Sequence, residues 1–461
     1  MNVRIQVVVD NGTVPIIQEV ACLERDTLCA DTLGLSLEEA KSLLANVQSV
    51  LVSHQVKAYV DQQRFCPHCG QPYARKSADS IVVRTLFGKL ELASPRLYTC
   101  QCQPQTRQSF NPLADLLSER TAPELLYLQT KWSACLSYRQ AAALMTDVLP
   151  METAPSLAVL HRHVEQIAER TERELGDEQV FFIQGCKAEW EELSDPQPPI
   201  TVGIDGGYIH ARDQADNWFE VIVGKSLPEH GQARYFGFVN DQDAKPKRRL
   251  YEVLKAQGMQ TNQTVIFLSD GGDTVREMQL YMNPNAEHLL DWFHITMRLT
   301  VLKQMSKGLK THPFFRSIDK LQHELDSIKW YLWHGNTFVA LQRLQDLADA
   351  EGHEESDAKL VKFTKTVCEF ETYIRNNRSF MPNYGDRYRN GERISTAFVE
   401  STVNLLIAKR FNKKQQMRWS KQGAHRLLQV RVQVFNNQLY DTFKAWYPNL
   451  TAIPQSEVLA A

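Results

Sequence analysis

The sequence predicts a mixed α/β chain of several domains, with a long all-helical block late in the chain. Three observations carry that expectation. Two cysteine pairs, Cys66/Cys69 and Cys100/Cys102, bracket a stretch of strand-like alternation. Short apolar runs that end or are interrupted at Asp205 and Asp270 read as buried strands of one α/β unit. Residues 298–380 are almost entirely helical in pattern. At 461 residues the chain exceeds one typical domain, and a prior of about three follows.

Residues 1–62 open with the alternating run Met1 to Asp10, which reads as a strand. A helix follows from Leu35, with Ser36 as N-cap before Glu38 and Glu39. Met1 to Asp10 lacks the charged, apolar and small sections of a signal peptide, and no apolar stretch is long enough to span a membrane. A cytoplasmic protein without a membrane partner is the expectation. The scattered Cys22, Cys29, Cys135, Cys186 and Cys368 then read as reduced core residues.

Residues 63–110 form a metal-binding module. Cys66-Pro-His-Cys69-Gly70 is a knuckle that turns two thiolates toward one ion, and Cys100 and Cys102 share one face of an extended chain. Four thiolates make a closed tetrahedral zinc site with a structural role. His68 reads as a knuckle residue, because four sulfurs fill the shell. Ile81 to Leu92 reads as a hairpin turning at Gly88-Lys89, which completes a zinc-ribbon layout.

Residues 111–180 read as helices over Pro123–Thr130, Trp132–Leu149 and Ser156–Glu174. The last two resemble a helix-turn-helix, with Ser156, His161, Arg162 and His163 offered to phosphates or base edges. The longer, Pro-bearing connection weakens that match, and a plain helical hairpin is the alternative. Residues 181–200 are a linker, where Asp195-Pro-Gln-Pro-Pro199 bars an unbroken helix or central strand.

Residues 201–297 give strands at Thr201–Ile209, Trp218–Val223, Ala233–Val239 and Thr264–Leu268, a helix at Arg248–Gly258, and a short strand at His288–Phe293 running into a helix. The helical block is bounded at 298–392, with Trp330, Trp333 and Phe338 as core candidates and a loop at Tyr384–Asn390. Residues 393–440 return to helix, and 441–461 form a tail.

The chemistry rests on carboxylates. Asp205 and Asp270 each precede a Gly-Gly pair, where small residues admit a phosphate backbone. Glu400 lies on an amphipathic helix, with Asn404 one turn on and sharing its face. Like-charged carboxylates in contact repel unless cations neutralise them. Two Mg²⁺ or Mn²⁺ ions resolve this and suit cleavage and rejoining of phosphodiesters. Asp291 and His294, at i, i+3, can face the same cleft, so Asp291 is a rival ligand; Asp273 and Glu277 are weaker rivals.

Net charge is only −2, so a DNA surface must come from local segregation of charge. From Ser401 to Tyr440 there is no acid, while Lys409, Arg410, Lys413, Lys414, Arg418, Lys421, Arg426 and Arg431 are present. That run suits DNA phosphates beside the metals. Trp419 within it can stack on an unpaired base or pack on the core.

The ribbon cysteines, the run Pro123-Glu-Leu-Leu-Tyr-Leu, Ile204-Asp-Gly-Gly, Leu268-Ser-Asp-Gly-Gly, Asp291-Trp-Phe-His and Phe398-Val-Glu-Ser-Thr-Val-Asn together resemble DDE transposases of bacterial insertion sequences. The nearest kind is the ISKra family, with Mutator-like transposases more distant. The resemblance covers nearly all of residues 1–440. It implies a ribonuclease-H-like catalytic core, with a helical insertion between its last strand and the helix bearing the final acid. It further implies Asp205, Asp270 and Glu400 as the metal-binding triad, Asp291, His294 and Asn404 as auxiliary residues, and double-stranded DNA, both transposon ends and target, as partner. The ribbon and helix-turn-helix would read terminal inverted repeats. Synapsis of two ends calls for a dimer or larger assembly. A catalytically silent DNA-binding regulator and a zinc-ribbon nuclease without strand transfer are the competing expectations. The departure from the family is the Cys-x-Cys form of the second cysteine pair.

Overall fold

A computed structural model of the chain describes residues 1–10, 14–102, 108–151, 153–183, 185–193, 195–212, 218–272, 279, 282–283, 285–309, 318–349, 358–412 and 417–451. The chain divides into two units: residues 1–167 with 437–458, and residues 168–436 with 459–461. Asp273, Glu277, Lys413 and Lys414 lie outside the described residues.

In the first unit, β1 (Asn2–Val9) and β2 (Ile16–Glu24) pair antiparallel. Helix α1 (Leu37–Gln62) begins where Ser36 and Glu39 close a reciprocal cap: Glu39 N–H donates to Ser36 Oγ at 3.2 Å, and Ser36 N–H to Glu39 Oε2 at 2.9 Å. Strands β3 (Arg75–Thr85) and β4 (Gly88–Tyr98) form a longer hairpin than the alternation indicates, and β5 (Ser109–Phe110) adds to its edge. The turn falls at Leu86-Phe87, not Gly88-Lys89. Gly88 is the first residue of β4, at a φ of +134° that L side chains rarely adopt. Val60, Val83, Leu92 and Leu113 pack beneath the hairpin.

Helices α2 (Pro112–Leu116), α3 (Pro123–Cys135), α4 (Tyr138–Val148) and α5 (Leu157–Glu174) follow. Leu125, Ala141, Ala142, Met145 and Leu160 form their core, so the small alanines do admit close helix packing. Cys22, Cys29, Cys186 and Cys368 are exposed, contrary to the core expectation, and Cys135 is half-buried.

In the second unit, α6 (Lys187–Glu191) precedes the irregular Asp195–Pro199 segment. A five-stranded mixed sheet then assembles from β6 (Ile200–His210), β7 (Trp218–Leu227), β8 (Arg234–Val239), β9 (Val265–Ser269) and β10 (Ala286–Leu290), in the order β10-β9-β6-β7-β8. β6, β9 and β10 run parallel, and β7 is antiparallel to both its neighbours. Helix α7 (Pro246–Ala256), opened by a proline at its first turn, connects β8 to β9. Leu250 and Leu254 of α7 pack on Ile204, Ile222, Phe236 and Phe267 of the sheet.

Four long helices come after β10: α8 (Trp292–Lys307), α9 (Ile318–Trp333), α10 (Thr337–Asp349) and α11 (Ala358–Asn377). Their apolar stripes meet in a core of their own around Leu302, Leu325, Leu332, Phe363 and Phe370. Trp333 packs against it, but Trp330 is 58% and Phe338 78% exposed, so those two are not core residues. Tyr384 to Arg389 forms a short helix, α12, in place of the expected loop; Tyr384 is fully buried and donates its hydroxyl to Leu290 O at 2.8 Å. Helix α13 (Ala397–Val403) passes into a π-helical segment, Asn404–Ala408. Helix α14 (Lys421–Phe435) lies against β8. Helix α15 (Leu439–Trp446) belongs to the first unit, where Phe443 meets the Tyr127 ring of α3 edge-on at 5.5 Å. Among the described residues, no helix is long and apolar enough to cross a membrane.

Candidate metal centres

Asp205 does not end its strand. Asp205, Gly206 and Gly207 pair with Val223, Ile222 and Val221, so β6 runs straight through them. The parallel register pairs Gly203 with Leu268, and Asp205 and Asp270 each lie two residues further on. The next pair, Leu290 with Ser269, brings Asp291 level with Asp270 one residue beyond. Three aspartates thus stand side by side on adjacent parallel strands.

The face carrying Asp205 also carries Gly203 and Gly207, since strand side chains alternate. Both glycines make room for a helix. A Cβ on Gly203 would lie 2.2 Å from Val399 Cγ2, and one on Gly207 would lie 2.8 Å from Ile407 Cδ1 and 3.4 Å from Val403 Cγ1. Helix α13 therefore lies across β6 with its contacts on either side of Asp205. Glu400, between Val399 and Val403 in the chain, is exposed, as is Asn404. The glycine after Asp205 was expected to admit a phosphate; Gly207 instead admits Ile407, and a Cβ on Gly206 would sit 3.1 Å from Glu220 Oε1.

Burial raises the Asp205 pKa. The Gly206 amide, donating to Oδ1 at 2.8 Å, and His294 oppose that rise, while Asp270 and Asp291 add to it. Asp270 Oδ1 accepts from Gly272 N–H at 3.0 Å, and its carbonyl accepts from the Tyr373 hydroxyl at 3.0 Å. Gly271 between them takes a φ of +86°, which only glycine adopts easily.

Asp291 resolves differently from the ligand it rivals. It is fully buried, and four donors meet its carboxylate. Oδ1 accepts from Phe293 N–H at 2.8 Å and Thr396 N–H at 3.0 Å; Oδ2 accepts from His294 Nδ1 at 2.8 Å and from the Thr396 hydroxyl. Such an acceptor has no lone pair left for a cation. It fixes His294 and ties Thr396, at the start of α13, to the end of β10. The hydrogen bond to Asp291 raises the His294 pKa against burial, and Asp291, Asp205 and Asp270 add attraction. The aspartates thus favour the protonated form of His294.

Glu220 escaped the sequence reading. It lies on β7, its carboxyl pushed up by burial and by Asp270 and Asp241, and held by Asn240 Nδ2 at 3.0 Å. A lone acid inside the apolar run Trp218 to Val223 was the available signal.

The basic run is mostly engaged. Arg410 is buried with its guanidinium over the Trp419 ring, Arg431 donates to the carbonyls of Leu405 and Leu406 in the π segment, Lys421 pairs with Asp241 at 3.3 Å, and Arg426 pairs with Glu169. Lys409, Arg418 and, in the first unit, Arg162 are exposed. Trp419 packs on Phe411 at 5.0 Å and is 8% exposed, which makes it core. His163 is also core: it is buried, with Nδ1 donating to Gln129 Oε1 at 2.7 Å.

The four ribbon cysteines converge. Their sulfurs all lie within 4.8 Å of one another, with Cys66 and Cys102 at 3.5 Å and Cys69 and Cys100 at 3.4 Å. A tetrahedral zinc with bonds near 2.3 Å needs sulfurs about 3.8 Å apart, so the cluster could hold zinc. Gly70, at a φ of +68°, donates to Cys66 O at 2.9 Å and closes the knuckle. Burial opposes ionisation of Cys66, but donation from the Cys69 and His68 amides and from Cys102 brings its thiol down to about 6. His68 is exposed and outside the cluster.

Glu172, Asp243 and His425 form another group with ligand atoms within 4.8 Å, a spacing a metal could use. The Arg249 guanidinium already occupies it, bonding Asp243 Oδ2 at 2.6 Å and Glu172 Oε2 at 2.5 Å. Burial would raise Glu172, but hydrogen bonds from His425 and Arg249 hold it near 2. A metal there would have to displace Arg249. No family model matches the chain, and no curated protein shows significant similarity to it.

Proposed function

We propose that the second unit is the catalytic core of a DDE transposase, which cleaves DNA at the ends of a mobile element and joins those ends to a target. The observation that carries the reading is the arrangement around Asp205. Asp205 and Asp270 lie level on adjacent parallel strands, and the helix bearing Glu400 crosses the glycine-lined face of the Asp205 strand. The sheet, with its single reversed strand, supports a ribonuclease-H-like core. The helices from Trp292 to Asn377 then stand as the insertion between the last strand and the helix of the final acid.

Asp205, Asp270 and Glu400 would hold two divalent cations. The donor set fits: hard carboxylate oxygens, one of them desolvated and crowded by like charge, which a cation relieves. Bound there, Mg²⁺ or Mn²⁺ would supply activation of an attacking oxygen and stabilisation of a leaving one. The chain's own part is positional. Asp291 fixes Thr396 and with it the start of α13, the Gly271 turn sets Asp270, and His294 balances the carboxylate charge. In the reaction the attacking oxygen, from water or a 3′-hydroxyl, bonds to phosphorus as the bond to the leaving oxygen breaks. The ribbon, with its structural zinc, and helices α3 to α5 would contact the element's ends, and pairing of two ends calls for at least a dimer.

The test is cleavage of a duplex carrying the sequence that flanks the coding region. With Mg²⁺ or Mn²⁺ the wild type nicks it and, given pre-cleaved ends, joins them to target DNA. Asp205→Asn lowers nicking by at least two orders of magnitude on the scale of losing a metal ligand, roughly 3 kcal/mol or more of barrier, and leaves duplex binding intact. Unchanged nicking in Asp205→Asn sinks the assignment. Nicking without joining points to a plain nuclease.

A further inference from the structure

Within the first unit, three arginines converge on one cavity of about 280 Å³: Arg84 from the end of β3, Arg120 from the segment before α3, and Arg162 from α5. Ser118, Thr121 and Gln166 share its lining. The backbone sets the placement. Arg84 N–H donates to Arg120 O at 2.8 Å, and Ala122 N–H donates to Arg84 O at 2.8 Å, so hairpin and segment are stitched together at this point.

None of the three guanidiniums has an ion-pair partner among the described residues. Arg120 Nη1 is buried and without any hydrogen-bond partner. A buried guanidinium nitrogen left unpaired is uncommon and points to a missing acceptor. Glu119, the one acid in the lining, is taken by the Tyr447 hydroxyl. His163 at the cavity floor stays neutral at ordinary pH, burial first and then the charges of Arg162 and Arg84 bringing it down to about 4. Three guanidiniums against the one Glu119 carboxylate leave the cavity with a net positive charge, and planar guanidiniums suit the oxygens of a phosphate.

A neighbouring cavity of about 300 Å³ shares Arg84 and Val159 and adds Lys89, with Ser156 just before the first turn of α5. Positive charge thus continues from Arg162 through Arg84 to Lys89. A single free anion needs only one pocket; a chain of phosphates uses the continuation.

We propose that the Arg84–Arg120–Arg162 cavity is a phosphate-binding site that grips the backbone of duplex DNA. The inference rests on the DNA-processing reading above and adds to it a specific anchoring residue set. The contact is to the phosphate, so it contributes affinity and register without reading sequence.

The experiment measures binding of the full zinc-loaded chain to two duplexes, one carrying the flanking sequence and one scrambled, across a salt series by fluorescence anisotropy. Calorimetry with inorganic phosphate alone is run in parallel. Arg84→Ala, Arg120→Ala and Arg162→Ala each weaken both duplexes roughly tenfold and reduce the salt slope by about one. Arg4→Ala, an exposed change on β1 outside the cavity lining, leaves both unchanged. Zinc content and circular dichroism confirm that each variant folds, and Arg120→Lys, which keeps the charge, retains the salt slope. If the wild type binds duplex with a steep salt slope and the cavity variants match it, the cavity proposal is overturned while the DNA reading stands. If the wild type binds neither duplex, both fall. If inorganic phosphate binds and is lost in the variants while duplex affinity is unchanged, the site takes free anions and the proposal fails.

Discussion

His163 is the residue where a plausible role gave way to packing. On α5 it reads as a group aimed at DNA, yet it is buried against Gln129, and its neighbour Arg162 faces solvent instead. One position of helical rotation, about 100°, separates the two environments. Burial and the nearby Arg162 and Arg84 bring the imidazole from 6.5 to about 4. The sign of the pH effect follows. Above pH 6.5 folded and unfolded chains both carry a neutral ring, and His163 adds no pH dependence. As pH falls through 6.5 the unfolded chain takes a proton that the folded one refuses. Stability then declines by about 1.4 kcal/mol per pH unit until the folded ring protonates near 4. Asn at this position keeps an N–H donor for Gln129 and has no titration. Urea midpoints for His163→Asn, followed between pH 7 and 4.5, should show a shallower acid decline by about one proton. An identical slope in both proteins would remove His163 as its source.

At the scale of elements, β6 and α13 define each other. The expectation that Asp205 closes a strand failed because Asp-Gly-Gly reads locally as a turn, whereas the strand continues under the pull of its pairing with β7. The glycines answer to a helix nearly two hundred residues away in sequence, which no local pattern reveals. Strand identities were legible, since Val265 to Leu268 and Ile200 to Ile204 are short apolar runs that can only be buried. The helices from Trp292 to Asn377 were legible through their periodicity. The acid-free basic run was legible as composition but not as a surface. Arg410 lies over Trp419, and Arg431 serves the carbonyls of Leu405 and Leu406 within the π segment. Long-range partners drew those charges inward. The same packing gives a sharp prediction. Gly207→Ala puts a methyl 2.8 Å from Ile407 Cδ1 and 3.4 Å from Val403. Overpacking of this kind costs about 1–3 kcal/mol and shifts the helix. Nicking by Gly207→Ala should fall at least tenfold at temperatures where circular dichroism and zinc content remain those of wild type. Wild-type nicking in a destabilised but folded variant would mean that the placement of α13, and with it Glu400, does not matter to the reaction.

At the scale of the whole molecule, the two units draw their stability from different sources. The second unit has two large apolar cores, one on the sheet and one among the helices from Trp292 to Asn377. The sheet and helices of the first unit pack in smaller clusters, and at its cysteine end, residues 64–75 and 97–102, Cys66 and Leu97 are the buried side chains. Four thiols pressed within 4.8 Å of one another have little to recommend them without an ion, because their ionised forms repel. A metal that binds only the folded cluster makes its binding energy folding energy. Zinc removal should therefore act locally. Treatment with a zinc-selective chelator should release one zinc per chain and abolish protection of amides at the cysteine end of the ribbon strands, in Arg75–Ala78 and Arg96–Tyr98, in hydrogen exchange. Amides of β6, β7 and β9 should keep their protection, since nothing in their cores depends on the ion. Cys66→Ser should reproduce the effect without chelator. The arrangement proposed here fails if the cysteine end of the ribbon strands stays protected when zinc is gone, and it fails equally if the sheet of the second unit opens with it.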